Sequence, residues 1–144
     1  MDFAVDTDKA RLDVARIHRY LSEESTWALG IPLETVERSI AHSLCFGGYA
    51  GGAQVAFARV ITDQATFAYL LDVFVLPEHR GKGYSTRLLD AVMAHAALQG
   101  LRKFMLTTST AAPLYARYGF VSPAAPGALM ERSFPDLYRQ PPAP

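Results

Sequence analysis

The strongest chemical signal in the chain is a short basic, glycine-containing turn made of Arg80, Gly81, Lys82, Gly83, Tyr84, Ser85 and Thr86. Apolar residues recur at helical spacing directly after it, at Leu88, Leu89 and Val92, so the turn must open a helix. The first turn of a helix has unpaired N–H groups and a partial positive charge, and glycines there let an anion approach the backbone. The turn therefore predicts a phosphate site. The alternative is a tight turn with solvated cations.

This turn differs from the two standard phosphate-binding motifs. A P-loop places Ser or Thr after its Gly-Lys pair, whereas Lys82 is followed by Gly83. The dinucleotide fingerprint needs a third glycine where Thr86 stands. Arg87, about one turn into the helix, is placed either to reach a phosphate or to point to water.

Two further groups are candidates for binding an amine. Asp72 interrupts the apolar run FAYLLDVFV, and a buried carboxylate is costly without a partner. We favour a structural role for Asp72, as a cap or in a pair within the fold, with action through a water as base for an incoming ammonium as the alternative. Trp27, with Glu24 and Ser25, falls in a loop between two predicted helices. It is placed either to line an amine pocket or to cover the edge of the core.

Composition excludes several classes of function. Lys and Arg total 14, as do Asp and Glu, so no overall field favours nucleic acid or an anionic membrane. The four histidines are scattered and no cysteine cluster exists, so no metal site is predicted. Cys45 is the only cysteine and the first residues lack a signal-peptide core, so we expect a reduced, cytoplasmic setting. No apolar run approaches the ~20 residues that span a bilayer.

The elements that must position these residues can be predicted along the chain, which we expect to be a single domain over residues 1–144. A strand over residues 2–6 precedes a helix with Ala10, Val14, Ile17 and Leu21 on one face. A second helix starts at Pro32. The stretches CFGGYAGG and AQVAFARVI predict two strands joined at paired glycines, and a polar turn leads to a strand ending at Val75.

The second half of the chain predicts a parallel crossover. A helix over residues 81–98 connects the strand ending at Val75 to the short strand KFMLTT, which we expect to pair parallel with it. A short helix follows over residues 111–117, and residues 118–130 should hold the final strand or strands. We assign no structure to the proline-rich end, PDLYRQPPAP.

The turn resembles the signature of the GNAT superfamily of acetyl-CoA-dependent N-acetyltransferases, which is Gln or Arg, two residues, Gly, one residue, then Gly or Ala. Arg80 to Ser85 match this pattern after a typical Val-x-Pro, with Ser85 as a small replacement for the last residue. The resemblance covers most of the chain. It implies that the N–H groups of residues 81–86 hold the pyrophosphate of coenzyme A. It also implies that the pantetheine arm pairs with the backbone of Val73, Phe74 and Val75.

A second matching segment, TTSTAAPLYARYGF over residues 107–120, resembles the end of the same family's domain. Tyr115 takes the place of the usual general acid. A phenol with a pKa near 10 is a reasonable proton donor to a thiolate whose thiol has a pKa of about 8.5. The alternative is that Tyr115 anchors the short helix, as we expect of Tyr118.

The stretch from HRYLSEESTWALGIPLETVERSI to AHSLCFG is similar to a bacterial branch of the superfamily with a Tyr-Trp-Ala-x-Gly-x-Pro segment. Thr26 stands where that branch commonly has an aromatic residue, and residues 110–113 depart from the frequent Asp-Ala-His-Gly. Both departures fall near the family's acceptor pocket, so the identity of the acceptor is undecided. Phe134 and Tyr138 are placed either to fold over that pocket or to form a homodimer contact.

The resemblance implies a mixed α/β fold of the α+β type: a twisted, mostly antiparallel sheet flanked by helices and splayed at its parallel strand pair, beside Val75. It further implies transfer of an acetyl group to a small-molecule or peptide amine by direct attack. A backbone N–H near Val75 would polarise the thioester, Tyr115 would protonate the sulfur, and the general base is unassigned. The alternative from another class is a noncatalytic acyl-CoA-binding or regulatory module.

Overall fold

Five strands form one sheet in the order β1-β2-β3-β4-β5 in the computed structural model, which describes residues 2–139. They are β1 (Phe3–Asp6), β2 (Leu44–Ala50), β3 (Ala53–Thr62), β4 (Phe67–Val75) and β5 (Lys103–Leu106). Neighbours from β1 to β4 are antiparallel, and β4 and β5 are parallel. The predicted mixed α/β fold, its meander and its parallel pair are confirmed.

Four helices flank this sheet: α1 (Val14–Arg19), α2 (Leu33–Ala41), α3 (Tyr84–Ala94) and α4 (Ala112–Ala116). A π-helical turn, Tyr20–Glu24, continues α1. The extended residue Pro32 precedes α2 as its N-cap, close to the predicted start. The crossover that α3 makes between β4 and β5 explains their parallel pairing.

The two faces of the sheet bury separate apolar clusters. On one face α3 packs Leu88, Leu89 and Val92, each at most 1% exposed, against residues such as Phe46 and Val60. On the other face α1, α2 and the π-helical turn enclose a cluster of Ile17, Leu21, Val36, Ile40, Cys45, Phe57 and Phe74. Both faces of the sheet are therefore covered, and the site must lie at its edge or its ends.

The prediction of one continuous first helix is wrong, because the structure divides this segment into two elements. Lys9–Arg11 is a separate 3₁₀ turn and Leu12 is extended. The side chains of Asp8 and Asp13 each accept a backbone N–H, from Ala10 and from Arg16, and so cap two successive elements. Ala10 is exposed and does not share the buried face of Ile17 and Leu21.

The crossover helix is shorter than the predicted residues 81–98, because it begins at Tyr84 and ends at Ala94. Gly81 and Gly83 both have a φ of 78°, a left-handed conformation that cannot continue a right-handed helix. Pro77–His79 forms a 3₁₀ turn before them and Ala96–Leu98 another after the helix.

The predicted final strand or strands in residues 118–130 are absent. This segment has a 3₁₀ turn at Pro126–Ala128, and every residue from 121 to 130 is exposed. Pro123 and Pro126 lack the N–H groups that a strand needs for pairing. Within the described residues β5 is therefore an edge strand. Of the proline-rich end, residues 140–144 lie outside the described part of the chain.

Candidate active site

The parallel strands β4 and β5 separate half-way along β4. Their pairing runs from Phe67 with Lys103 to Leu70 with Leu106 and stops there. On its other side β4 stays paired with β3, but Phe57 faces Phe74 while Arg59 faces Leu71. One extra residue is therefore inserted in β4 as a β-bulge, where Asp72 has a φ of 53°. Among residues 2–139, the edge of β4 beyond Leu70 has no strand partner on the β5 side.

A cavity of about 630 Å³ occupies the gap between the two diverging strands. Residues 69–73 of β4 form one wall and residues 106–111 form the other. Thr26 and Trp27 close one end, and Tyr115 of α4 also lines it. The splay predicted from the sequence thus has an open space large enough for the reacting ends of two substrates.

Tyr115 is buried beside this cavity, and Phe120 packs edge-on to its ring at 6.1 Å between centroids. Its hydroxyl makes no hydrogen bond with any of residues 2–139, and it lines both this cavity and a neighbouring one of about 390 Å³. Burial raises the pKa of the Tyr115 phenol above its ordinary value, so the phenol stays protonated at neutral pH. An unpaired, protonated phenol at a cavity wall is available as a proton donor.

The glycine turn presents backbone N–H groups to open space. In the described chain, the N–H groups of residues 81–86 have no hydrogen-bond partner. A Cβ built on Gly81 or Gly83 would have no neighbouring atom within 4 Å, so an anion can approach the backbone. The ring of Tyr84 instead stacks in the core on Phe3, at 4.2 Å between centroids, and leaves only its backbone for a ligand.

The cations of this turn have different roles. The Arg80 guanidinium donates to the Val75 carbonyl at 3.0 Å and to the Tyr20 hydroxyl at 3.1 Å, so it braces the turn against β4. Arg87 is exposed, and its guanidinium donates to the Phe3 carbonyl at 2.6 Å, so the side chain is tied to β1. Lys82 is exposed, makes no hydrogen bond or ion pair with residues 2–139, and is free to meet an anion.

Contacts between α3 and α4 hold the turn and Tyr115 in a fixed relation. Tyr118 donates its hydroxyl to the Thr86 carbonyl at 3.1 Å and to Asp90 at 2.7 Å. Arg117 donates to the Thr86 hydroxyl at 3.0 Å. Thr86 thus joins the helix that opens at the glycine turn to the helix that carries Tyr115. Ser85, one residue earlier, is half-buried.

The three β4 residues predicted to pair with a pantetheine arm differ in what they leave free. Val73 lines the cavity. The Phe74 side chain is buried against Tyr20, with 4.0 Å between ring centroids, so only its backbone faces a ligand. The Val75 carbonyl is occupied by Arg80.

Asp72 is a paired group, which agrees with the structural role favoured above. Its Oδ2 accepts from Arg59 Nε at 2.9 Å, and its Oδ1 accepts from Trp27 Nε1 at 2.8 Å. The Arg59 and Asp72 side chains are only 12% and 9% exposed. Sequence reasoning missed Arg59, although a lone cation in an apolar strand beside a strand with a lone carboxylate is a signal for such a pair.

Trp27 is half-exposed and borders the cavity, whereas the two residues grouped with it do not. Ser25 is buried: its hydroxyl donates to the Leu21 carbonyl at 2.6 Å and accepts the Ala28 N–H at 3.0 Å. Glu24 ends the π-helical turn and is exposed outside the cavity. Ser25 is therefore a loop-shaping residue, and the prediction that these two bind substrate gains no support from their positions.

Two other groups named from the sequence, Cys45 and the pair Phe134 and Tyr138, do not line the cavity. Cys45 is buried under α1 and α2, and burial raises its pKa to about 11, so it is a protonated thiol without access to the cavity. The backbone carbonyl of Tyr138 lies against Gly30, close to the loop that carries Trp27. Phe134 is exposed, with the Arg132 guanidinium over its ring.

Comparison with known proteins assigns this arrangement to a family. The sequence model of the Acetyltransferase (GNAT) family matches residues 14–120, a range that includes the glycine turn and Tyr115. The chain belongs to the GNAT acetyltransferase family. The resemblance found in the sequence is therefore confirmed, and the family's members are acetyltransferases that use acetyl-CoA.

The chain is also similar to individual proteins that are named as acetyltransferases. A crystal structure of a provisionally named GNAT-family acetyltransferase from Xanthomonas campestris pv. campestris is 62% identical, with a TM-score of 0.95 over 97% of this chain and 99% of its own. A provisionally named acetyltransferase of Gibberella zeae is 34% identical over 138 residues, 81% of this chain and 77% of its own. A predicted acetyltransferase from Clostridium acetobutylicum, solved with acetyl-CoA, shares the fold at 20% identity, a TM-score of 0.60 and coverage of 92% and 95%.

Two features are absent from residues 2–139. None of their helices is both long and apolar enough to cross a bilayer. Nor do three or more His, Cys, Asp or Glu side chains in this range come together as a metal site.

Proposed function

We propose that this GNAT protein transfers the acetyl group of acetyl-CoA to a primary amine by direct attack while both substrates are bound. The unpaired phenol of Tyr115 at the wall of the cavity between β4 and β5 is the observation that carries this proposal. The open edge of β4 would guide a thioester toward this phenol, which would act as its proton donor.

The donor end of the site is the glycine turn. The N–H groups of residues 81–86 bind the pyrophosphate, and the free cation Lys82 adds charge. The pantetheine arm follows the open edge of β4 past Val73, and a backbone N–H near Val75 polarises the thioester carbonyl. Arg80 acts indirectly, because it braces the turn against β4 and Tyr20.

The reaction forms one C–N bond and breaks one C–S bond. The amine must be neutral to attack, so its ammonium form first loses a proton to solvent. Its nitrogen then attacks the thioester carbonyl carbon, and the C–S bond breaks as the sulfur accepts the proton of the Tyr115 phenol. The new amide nitrogen loses its second proton and the phenol is reprotonated from solvent. No covalent enzyme intermediate is needed, in keeping with the inaccessible Cys45.

The test is the release of coenzyme A thiol over time when the protein is incubated with acetyl-CoA and a panel of primary amines, with mass spectrometry of the acetylated product. Calorimetry with acetyl-CoA alone measures donor binding separately. Donor binding followed by amine-dependent thiol release supports the proposal. Binding without thiol release for every amine would refute catalysis and favour a noncatalytic acyl-CoA-binding module.

A further inference from the structure

The polar groups of the cavity define a recognisable acceptor chemistry. Apart from the paired carboxylate of Asp72, the polar side chains that line it are hydroxyl groups and one indole. The hydroxyls belong to Thr26, Tyr69, Thr107, Thr108, Ser109, Thr110 and Tyr115. Within residues 2–139, no Lys, Arg or His side chain lines this cavity.

Arg59, the partner of Asp72, is a cation that is already neutralised. Arg59 gives its Nε to Asp72 at 2.9 Å and its Nη1 to the Ser43 hydroxyl at 3.0 Å. Its side chain is 12% exposed and does not itself line the cavity. It therefore stabilises Asp72 and does not offer a charge to a ligand.

From this arrangement we infer that the acceptor is a primary amine that carries no carboxylate or phosphate near its amino group; the inference rests on the proposed function. An anionic acceptor would lose hydration in this cavity, and within residues 2–139 no unpaired cation lines the cavity to replace that hydration. The uncompensated charge opposes its binding. The cavity thus selects against free amino acids and sugar phosphates.

The same groups favour an amine with a neutral body. The half-exposed ring of Trp27 attracts an arriving ammonium by cation–π contact. The hydroxyls of residues 107–110 offer donors and acceptors to a hydroxylated or amide-bearing neighbour. Tyr69 is itself held in place by a 2.5 Å hydrogen bond to the Thr107 hydroxyl.

Matched substrate triplets test the inference with the intact protein. Each triplet contains an amine, its α-carboxylate analogue and its α-carboxamide analogue, for example tyramine, tyrosine and tyrosinamide. The carboxamide matches the carboxylate in size without its charge. We expect kcat/KM for the amine and the carboxamide to exceed that of the carboxylate by about tenfold or more. Relative to the simple amine, the carboxylate lowers the basicity of the amino group, and this bias opposes the expected result. The carboxamide lowers the basicity further, which would favour it over the carboxylate, so these two are compared at equal concentrations of the neutral amine.

A charge-adding variant sharpens the test. Thr110 is exposed at the cavity wall, so Thr110→Lys supplies the missing cation without disturbing the core. We expect it to lower the preference for carboxamide over carboxylate by about tenfold. Ala94→Lys adds the same charge at the exposed end of α3, away from the cavity, and should leave the preference unchanged.

The outcomes separate this inference from the proposed function. Equal or better turnover of the carboxylates, equal rejection of carboxamides and carboxylates, or an unaltered preference in Thr110→Lys would overturn the acceptor class while leaving acetyl transfer intact. Donor binding with no acetylation of any triplet would overturn both. Preference for the uncharged members, weakened in Thr110→Lys alone, supports the inference.

Discussion

Removal of the Asp72 carboxylate should strongly destabilise the protein. In the variant Asp72→Ala, the Arg59 guanidinium keeps only the Ser43 hydroxyl as a partner, although its side chain is 12% exposed. Breaking such a buried ion pair by removal of one member costs about 3–5 kcal/mol in free energy of unfolding, because the other charge is left uncompensated. The Trp27 indole N–H also loses its acceptor, but that residue is half-exposed and can bond to water.

The backbone conformation at Asp72 makes a smaller contribution to the loss of unfolding free energy in Asp72→Ala. Asp72 has a φ of 53°, a left-handed conformation that Asp and Asn tolerate better than Ala. Asp72→Asn therefore isolates the charge, since it keeps the local backbone preference and one hydrogen-bond acceptor. We expect Asp72→Asn to be less destabilised than Asp72→Ala. The double variant Arg59→Met, Asp72→Asn should recover much of the lost free energy because it leaves no buried charge.

Denaturant unfolding monitored by far-UV circular dichroism gives the free energies of unfolding. Trp27 is the only tryptophan, so its fluorescence emission and acrylamide quenching report this site without a label. We expect Trp27 to become more accessible to acrylamide in Asp72→Ala. A loss of less than about 1 kcal/mol, the range of an exposed ion pair, would refute the assignment of a buried pair. So would a double variant no more stable than Asp72→Ala.

The glycine turn and the buried thiol give two further predictions. Gly83→Val should weaken acetyl-CoA binding by about tenfold or more in calorimetry, because a side chain there covers the amides that meet the pyrophosphate. Gly100→Val imposes similar strain at a φ of 70° away from the turn, so equal losses of affinity in both variants would contradict the phosphate assignment. The folded pKa of Cys45, about 11 against an ordinary 9.0, means that its stabilising contribution is complete below pH 9 and is lost as the pH rises toward 11. Cys45→Ala should therefore lose less unfolding free energy over that interval than the parent protein, and an identical loss in urea titrations would contradict a buried thiol.

Local patterns predicted much of the fold. Paired glycines after an apolar strand predicted the β2–β3 turn, and Gly51 and Gly52 indeed have φ values of 60° and 80°. The apolar run FAYLLDVFV followed by a glycine turn and a helical pattern predicted the crossover and the parallel pair. Each of these features depends on nearby residues and on a short list of allowed connections.

The errors arose where side-chain pairing or chain context decides the structure. Capping by Asp8 and Asp13 divided a helix whose apolar spacing alone was continuous. Residues 118–130 are apolar enough for a strand, but they find no partner edge in the described chain. The left-handed backbone of Asp72 has no signal in the sequence, because the bulge depends on how β3 and β4 register.

Only part of the candidate site could be predicted from the sequence, for the same reason. The glycine turn and Tyr115 lie in contiguous motifs, whereas the hydroxyl-lined wall at residues 107–110 is only apparent once β5 ends beside the open edge of β4. Ser25 was grouped with Trp27 because the two are close in sequence. Their side chains point to different environments, one to the backbone of the loop and one to the cavity.

The most direct test of the proposed mechanism measures both the turnover of Tyr115→Phe and its affinity for acetyl-CoA. Tyr49→Phe is the matched control, because Tyr49 also has a buried hydroxyl without a partner in the described chain but does not line the cavity. We predict that Tyr115→Phe lowers kcat by about a hundredfold or more and leaves the Kd for acetyl-CoA within about twofold, while Tyr49→Phe keeps both. Full turnover in Tyr115→Phe with normal acetyl-CoA binding would contradict the role of this phenol as the proton donor.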